Sequence, residues 1–333
     1  MRSTLYLSIF ITLLHCVTGN GKPTDSLESP FGLSFSPSAI LASRFNSSGI
    51  IEVTQYPTSP KYQTYYKDAV TSYGETEERR TYDYYESATH KATIAMFRQI
   101  VDPVTLSLTK YLGHEPTYAT LFIPSVFNVD LRTAAIDAVF GEDHLKRPTK
   151  YGTTDDAACH AYDFFACKHL NRAPSECNWN GPENLILHLV YEQDYLYAFF
   201  KEVAFHLKTY PVGKKEICKR CGERFRDALG AQAHNAHINH FLTTFVNLSN
   251  SHYYSRDEIR AIVISGEASA ESIAALERIA RKAVGVEPLD YAAEIDAAEV
   301  AAYGAAEYAR ITQRDPETFT MEKSTVTPVH DEL

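Results

Sequence analysis

Short apolar runs of strand length alternate along this chain with longer segments of helical periodicity. Tyr118 to Ile123, Leu185 to Val190 and Ala261 to Ile264 have the length and composition of buried strands. Val129 to Phe140 and Ala270 to Val284 carry their apolar residues on one helical face. Strands interleaved with helices predict an α/β fold.

Turn and capping signals predict further elements between these segments. Gly32 to Phe45 is predicted as one strand, and turn residues at 46–49 separate it from a second strand, Ile50 to Gln55. From Glu86 the pattern is helical, and Asp102 with Pro103 supplies a cap and a first-turn proline that restart the helix. Further helices are predicted at Glu216–Gly230, His237–Val246 and Ala293–Ile311, with one more beginning at Asp155 and Asp156.

Tyrosine is unusually frequent, with 22 residues in the chain, and it is concentrated between Tyr56 and Tyr85. There it is mixed with Pro, Thr, Ser and charged residues. We expect this stretch to be an irregular, partly packed connection. A recognition surface made of rigid amphipathic rings is the alternative.

Composition and charge limit the class of protein. The apolar fraction of 44% is that of a globular chain with a core rather than a disordered one. The formal net charge is −10, whereas a nucleic-acid partner requires a cationic surface. We therefore expect no nucleic-acid partner.

Both ends of the chain carry targeting signals. Arg2 precedes an apolar run from Leu5 to Val17, which is too short to span a bilayer and is followed by small residues. This pattern predicts a signal peptide over residues 1–19 and no later transmembrane segment. The last four residues, His330-Asp331-Glu332-Leu333, match the retrieval signal that a receptor uses to return proteins to the endoplasmic reticulum. The expected location is the lumen of the endoplasmic reticulum.

Glycosylation and disulfide formation are both possible in that compartment. Asn46 and Asn247 lie in N-x-S sequons. Of six cysteines, Cys16 lies in the predicted signal peptide, which leaves an odd number in the mature chain. Cys167 and Cys177 flank a loop rich in Pro and Asn and are disulfide candidates, and at least one thiol is expected to stay unpaired.

Three segments carry a family resemblance. They are Ile123–Asn128, which ends a strand before a helix, then Glu223–Leu229, and finally Glu299–Ala306. In this order they resemble the nucleotide-binding domain of the Hsp70 chaperones, within the actin-like ATPase superfamily. The resemblance implies a two-lobed actin-like α/β architecture, with lobe I over residues 20–165, lobe II over 166–311 and a flexible tail over 312–333.

The resemblance also implies where a nucleotide would bind. Gly32–Ser38 corresponds to the first phosphate loop of the family, His188–Gln193 to the second, and Val263–Glu267 to the adenosine-binding loop. ATP, ADP or adenosine is the implied ligand. The implied contact residues are Ser34, Ser36, Ser38, His188, Glu223, Arg226, Ser265 and Gly266.

Both phosphate loops depart from the family pattern. Ser34 replaces the expected Asp, and Pro37 removes a backbone N–H donor. The second loop has His188 where the family has Asp, and bulky residues with Glu192 where it has glycines. Because phosphate binding needs close backbone donors and the metal needs acids, we expect ATP hydrolysis to be lost. A weak residual ATPase that uses Glu192 or Asp194 is an alternative.

The implied role is therefore that of a lumenal Hsp70-like protein that resembles the ATPase domain only. It would act as a binding or regulatory module, with lumenal chaperones or their clients as partners and no catalytic residues of its own.

A Cys/His segment supports a different function. Cys218, Cys221, His234 and His240 have a spacing that suits zinc, so a zinc-stabilised interaction protein is the alternative. Redox exchange at Cys218-Lys219-Arg220-Cys221 is a further possibility, because the two cations would lower the thiol pKa.

Overall fold

The computed structural model describes residues 29–73, 88–141, 150–170, 184–204, 208–250, 256–285, 289–290 and 295–314. Within these residues the chain forms two five-stranded sheets flanked by helices, which confirms the predicted α/β class. The predicted signal peptide, the retrieval signal and Cys177 lie outside the described residues.

The first sheet and the elements around it come from the first half of the chain. Its strands are β1 (Phe31–Phe35), β2 (Ala39–Phe45), β3 (Ile51–Pro57), β4 (Tyr118–Ile123) and β5 (Lys150–Thr153). Its helices are α1 (Pro60–Ser72), α2 (Ala88–Leu112), α3 (Val129–Phe140) and α4 (Thr154–Ala161), and a 3₁₀ turn follows at Cys167–Leu170.

The second sheet comes from the second half. Its strands are β6 (Leu185–Tyr191), β7 (Leu196–Ala204), β8 (Lys208–Cys218), β9 (Ile259–Ser265) and β10 (Leu289–Asp290). The helices of this half are α5 (Phe225–Leu229), α6 (Ala231–Asn250), α7 (Ala270–Val284) and α8 (Val300–Arg314), with a 3₁₀ turn at Arg256–Glu258.

The two sheets have the same topology. Their strand orders are β3-β2-β1-β4-β5 and β8-β7-β6-β9-β10. In each, the first three strands form an antiparallel meander, and the fourth and fifth strands run parallel to the first. The turn after the first strand of each sheet therefore lies at the same edge as the carboxyl end of its fourth strand. We call these turns hairpin turn 1 (Ser36–Ser38) and hairpin turn 2 (Glu192–Tyr195).

Strand β6 shows why its sequence is apolar at nearly every position. Leu185, Leu187 and Leu189 point to one side, where they pack with residues of α6 and α7. Ile186 and Val190 point to the other side and join two different clusters. Since side chains alternate along a strand, burial on both faces requires a continuous apolar run.

Helix α8 connects the end of the described chain to the first sheet. Although the predicted division placed residues up to 311 in lobe II, α8 packs against β1, β2, β4 and α4. Two glycines allow this contact. A Cβ at Gly32 would overlap the backbone of Ala305, and a Cβ at Gly304 would overlap the backbone of Ala157.

Several predicted elements are confirmed. Strand β4 and helices α3 and α7 have the predicted bounds, and β6, β9, α6 and α8 overlap their predictions. Helix α4 begins beside Asp155 and Asp156, which lie in its first turn, as predicted.

Other predictions were wrong. The segment Gly32–Phe45 forms two antiparallel strands rather than one, because the chain reverses at hairpin turn 1. Pro103 lies inside one continuous helix, α2, whose buried face includes Val101 and Val104 on both sides of it. The predicted helix Glu216–Gly230 consists of the end of β8 and the short helix α5.

The tyrosine-rich stretch is also more regular than predicted. Residues 60–72 form helix α1, which starts at the N-cap Ser59 with Pro60 in its first turn. Tyr62 and Tyr66 are buried on one face of it. Among the described residues, no helix combines the length and apolarity needed to cross a membrane.

The close approach of α8 to the first sheet gives a stability prediction. Substitution of Gly304 by Ala should lower the free energy of unfolding by about 3 kcal/mol, because the added methyl group meets fixed backbone rather than a side chain that can move. Urea denaturation measures this change. Lys91→Ala, at an exposed position of helix α2, is the control and should change the free energy by less than about 0.5 kcal/mol. Equal effects from the two substitutions would contradict the packing described.

Candidate functional site

An aromatic cluster joins the two sheets where the implied nucleotide would bind. Phe35, Phe97 and Phe127 of the first half belong to one buried cluster together with Tyr195 and Phe199 of the second half. Helix α1 contributes Tyr62 and Tyr66, whose rings contact Phe127 at centroid distances of 6.2 and 5.3 Å. The junction is therefore a packed core rather than an open cleft.

Two pairs of tyrosine hydroxyls cross the junction. The Tyr66 hydroxyl hydrogen bonds to the Tyr195 hydroxyl at 2.8 Å, and Tyr73 pairs with Tyr197 at 2.9 Å. Each pair joins the α1 region to β7 or to the turn before it. Each hydroxyl thus has a hydrogen-bond partner at the junction.

The remaining space at the junction is small. A cavity of about 30 Å³ lies between the halves. It is lined by Pro37, Tyr66, Val70, Glu192, Gln193, Asp194, Tyr195 and Glu267. This volume suits one or two water molecules, whereas small-molecule sites have about 300–1,000 Å³.

Glu267 fills the place that the resemblance assigns to a phosphate. Its carboxylate oxygen Oε1 accepts hydrogen bonds from the Ser38 backbone N–H at 3.1 Å and from the Ser38 hydroxyl at 2.9 Å. The Ser36 hydroxyl is a third neighbour of this oxygen, within hydrogen-bonding distance of it. The same hydroxyl also lies within hydrogen-bonding distance of the Ala39 carbonyl. Hairpin turn 1 thus binds an anion, and that anion is a side chain from the other half of the chain.

Glu192 of hairpin turn 2 adds a second acid beside Glu267. It is buried, and its Oε2 accepts the backbone N–H of Glu267 at 2.9 Å. Burial raises the pKa of Glu192 well above its usual value, and repulsion from the Glu267 carboxylate raises it further. The carboxylate of Glu267 already occupies this site, which makes the site unfavourable for a polyphosphate.

Gly266 is needed where β9 turns toward α7. Its φ of +118° is unfavourable for residues with a Cβ, and a Cβ would overlap the carbonyl oxygen of Tyr191. The predicted contact residue Gly266 therefore packs against the end of β6. This close contact sets the position of Glu267.

Three other predicted contact residues, Ser34, His188 and Ser265, lie on or beside the central strands. His188 Nε2 and the Ser265 hydroxyl hydrogen bond at 2.8 Å across the parallel pair β6 and β9. Burial lowers the pKa of His188 to about 4, so the ring is neutral at pH 7 and offers no cation to a phosphate. Ser34 is buried within β1, and its hydroxyl is one of the described buried groups without a hydrogen-bond partner.

The predicted adenosine-side residues have protein partners. The Glu223 carboxylate accepts hydrogen bonds from the Ser269 N–H at 2.9 Å, the Ser272 hydroxyl at 2.6 Å and the Gln193 amide at 2.7 Å. Burial alone would raise the pKa of Glu223, but the hydrogen bonds from Ser269 and Ser272 outweigh it and lower the pKa. Arg226 pairs with Glu271 across to α7.

A buried ion network forms a second connection between the halves. Lys201 on β7 lies 2.9 Å from the Asp155 carboxylate of α4 and also contacts Asp156. Asp156 accepts a hydrogen bond from the Thr209 hydroxyl at 2.7 Å. Burial opposes ionisation of Asp155, but attraction to Lys201 outweighs it, so the pKa of Asp155 lies well below its usual value. Sequence reasoning assigned no contact to Lys201, because its partners are about 45 residues away in the chain.

The structure does not form the zinc site in the predicted arrangement. Cys218 and Cys221 form a disulfide. His234 is buried, and its Nε2 lies 3.1 Å from the Gly222 carbonyl. Among the described residues, the one group of metal-ligating side chains with all ligand atoms within 4.8 Å of one another is Cys218, Cys221 and His237; His240 does not belong to it.

The other predicted sites lie away from the junction. Asn46 forms the turn between β2 and β3, where its Oδ1 accepts the N–H groups of Ser48 and Ile50. Asn247 is exposed near the end of α6. Cys159 is a buried free thiol. The side chain of Cys167 is outside the described part, as is its candidate partner.

The sequence matches no protein-family profile and no curated protein.

The raised pKa of Glu192 predicts a pH dependence of stability. Because the folded-state pKa lies above the unfolded value of about 4.3, the contribution of Glu192 is fully present below that pH and is lost as pH rises through the raised pKa. Glu192→Gln keeps an acceptor for the Glu267 N–H but removes the titration. The variant should therefore gain stability over the wild type as pH rises from about 4 to 8, by at most about 1.4 kcal/mol per pH unit.

Urea denaturation at a series of pH values measures this difference. Glu115→Gln, at an exposed position, is the control and should follow the wild-type pH profile. If Glu192→Gln also followed that profile, Glu192 would not be the buried acid described.

Proposed function

We propose that this protein is an Hsp70-like protein of the endoplasmic-reticulum lumen that resembles the ATPase domain of that family and does not hydrolyse ATP. It acts as a binding or regulatory module for lumenal chaperones or their clients. The proposal includes a two-lobed actin-like architecture. The repeated strand order of the two sheets supports it, as does the meeting of hairpin turns 1 and 2 with the Gly266 turn at one junction.

One observation carries the non-catalytic part of the proposal. The donors of hairpin turn 1, the Ser36 hydroxyl and the Ser38 N–H and hydroxyl, surround the carboxylate of Glu267. A phosphate would have to displace that carboxylate. The phosphate would take over hydrogen bonds that Glu267 already makes, so binding would exchange contacts rather than add them. The displaced carboxylate would stay close to the phosphate and repel it.

The adenosine side offers no compensating gain. Glu223 already uses its acceptor sites on Ser269, Ser272 and Gln193, and Arg226 is paired with Glu271. A ribose or base would have to break these contacts before it made its own. Binding of the nucleoside part would therefore at best exchange hydrogen bonds rather than add them.

The acids considered for residual hydrolysis are also engaged. Glu192 accepts the Glu267 N–H, and Asp194 forms an ion pair with Arg224. Burial and the neighbouring acid favour the protonated form of Glu192, which makes it a poor ligand for magnesium. These contacts favour the non-catalytic function over a residual ATPase.

The packing at the junction suggests how such a module works. Aromatic packing, two tyrosine pairs and the Lys201 network hold the halves together without a ligand. A ligand changes a conformational equilibrium only through a difference in affinity between two states. A nucleotide that does not enter the junction cannot change the conformational equilibrium of the two halves. Partner binding is therefore constitutive.

Calorimetry tests the proposed lack of nucleotide binding. Titration of the full chain with Mg-ATP, ADP and adenosine should give no binding with Kd below about 1 mM, because Glu267 and the aromatic cluster fill the site. A phosphate-release assay should show no turnover above that of the solvent-only control. Micromolar Mg-ATP binding, with turnover that Glu192→Ala or Asp194→Ala abolishes, would support the residual ATPase instead.

Localisation of the protein in secretory cells tests the compartment. Deletion of residues 330–333 should move the glycosylated protein from the cells to the medium, because the retrieval receptor no longer binds it. Immunoblots of the cell and medium fractions measure the distribution. Replacing the four residues by four alanines should have the same effect, and retention of both variants would contradict the assignment.

A further inference from the structure

The Cys218–Cys221 disulfide has two unequal sulfur atoms. Cys221 is fully buried in the core of the second half, whereas Cys218 is half-buried at the end of β8. Lys219 and Arg220, between them, are exposed. An incoming thiolate therefore reaches the sulfur of Cys218 and not that of Cys221.

The surroundings of Cys218 favour a thiolate. The imidazole Nε2 of His237 lies 3.7 Å from the Cys218 sulfur. Lys219 and Arg220 directly follow Cys218 in the chain and add positive charge. Neighbouring histidine and cationic groups stabilise the thiolate form of a cysteine and make it a better leaving group.

The position of Cys221 does not depend on the disulfide alone. The N–H of Cys221 donates to the Cys218 carbonyl at 3.2 Å. Two further backbone hydrogen bonds hold the residues that follow: the Glu223 N–H donates to the Glu192 carbonyl and the Arg224 N–H to the Gln193 carbonyl, each at 3.1 Å. These bonds remain when the disulfide is reduced. The bond also joins residues only three apart, so it restricts the unfolded chain little and contributes less to stability than a long-range disulfide would.

We propose that Cys218 and Cys221 form a thiol–disulfide exchange site. Its substrates are accessible cysteine pairs in a polypeptide, and glutathione is the small-molecule couple that exchanges with it. Cys218 is the attacked sulfur, Cys221 is the resolving sulfur, and His237 stabilises the Cys218 thiolate.

The exchange proceeds in two balanced steps. A substrate thiolate attacks Sγ of Cys218; the bond to Cys221 breaks, and its electron pair leaves with the Cys221 sulfur, which takes up a proton. The second substrate thiolate attacks the substrate sulfur of the mixed disulfide, so a substrate disulfide forms and Cys218 leaves as a thiolate beside His237. Two electrons have passed to the protein, and oxidised glutathione accepts them to restore the disulfide.

The first experiment measures reversible reduction. The full chain is equilibrated with reduced and oxidised glutathione at varied ratios, quenched under native conditions with excess N-ethylmaleimide at neutral pH, and analysed by mass spectrometry. The Cys218–Cys221 pair should be reduced and reoxidised while buried Cys159 stays unalkylated, which reports an intact fold. Reduction that occurs only together with alkylation of Cys159 would overturn the proposal and show a purely structural bond.

The second experiment assigns the roles of the residues. In the Cys221→Ser variant, Cys218 should react with oxidised glutathione and form a trapped mixed disulfide. In the Cys218→Ser variant, Cys221 should react at least about tenfold more slowly, because it is buried. Adding His237→Ala to Cys221→Ser should slow the reaction about threefold, since without the neighbouring imidazole less thiolate forms, although that thiolate is more nucleophilic. His240→Ala, an exposed histidine on the same helix and outside the cluster, is the matched control and should leave the rate unchanged. Equal rates for the two histidine variants would remove His237 from the site.

The third experiment tests the activity itself. With oxidised glutathione present, the wild-type chain should speed disulfide formation in a reduced peptide that contains two cysteines, and the Cys218→Ser/Cys221→Ser variant should not. Equal rates would overturn the proposal. Stoichiometric zinc in the protein as isolated, with both residues as thiolates, would overturn it as well and support a metal site at Cys218, Cys221 and His237.

Discussion

The carboxylate of Glu267 accepts the donors of hairpin turn 1, and most other features of the junction depend on this contact. It joins the turn after β9 to the turn after β1, which brings hairpin turn 2 and Glu192 against both. Gly266 permits the approach, because a side chain there would overlap the end of β6. With the turns joined, the aromatic residues of α1 and β7 can pack across the gap and exclude water. The contact also explains the pKa of Glu192, since a buried acid beside a second carboxylate favours its protonated form.

Two different kinds of interaction hold the halves together, and they have different consequences. The aromatic cluster stabilises the junction through apolar burial, which depends little on pH or salt. The Lys201 network is electrostatic and buried, so each charge requires its partner. Neither involves a ligand. A protein built in this way presents one stable surface, in accordance with a binding or regulatory role. The disulfide exchange proposed at Cys218 lies at the end of β8 and uses sulfur chemistry that requires no nucleotide.

Local patterns predicted those elements whose sequences match their surroundings. Helix α7 has a serine N-cap, a glycine after its end and a clear apolar face, and its bounds were predicted correctly. Strand β4 was predicted because a strand in the centre of a sheet is apolar throughout. Strand β8 was not predicted, since its polar, lysine-rich sequence gives no alternating pattern. Pairing with β7 stabilises this strand. Helix α1 was missed for a related reason: its tyrosines have little helical preference, and their burial at the junction, together with the cap at Ser59, stabilises the helix.

The sequence by itself determined the α/β class and the main strands and helices, because these depend on composition and short-range periodicity. It also supplied the terminal patterns from which the compartment is proposed. Only the tertiary structure decided which residues meet at the junction. Glu267 and Ser38 are 229 residues apart, and Tyr66 and Tyr195 are 129 apart. Likewise, His237 rather than His234 or His240 lies beside Cys218, and His234 lies against the Gly222 carbonyl instead. Contacts between distant residues leave no periodic pattern in a single sequence, so they are defined only when the two sheets pack together.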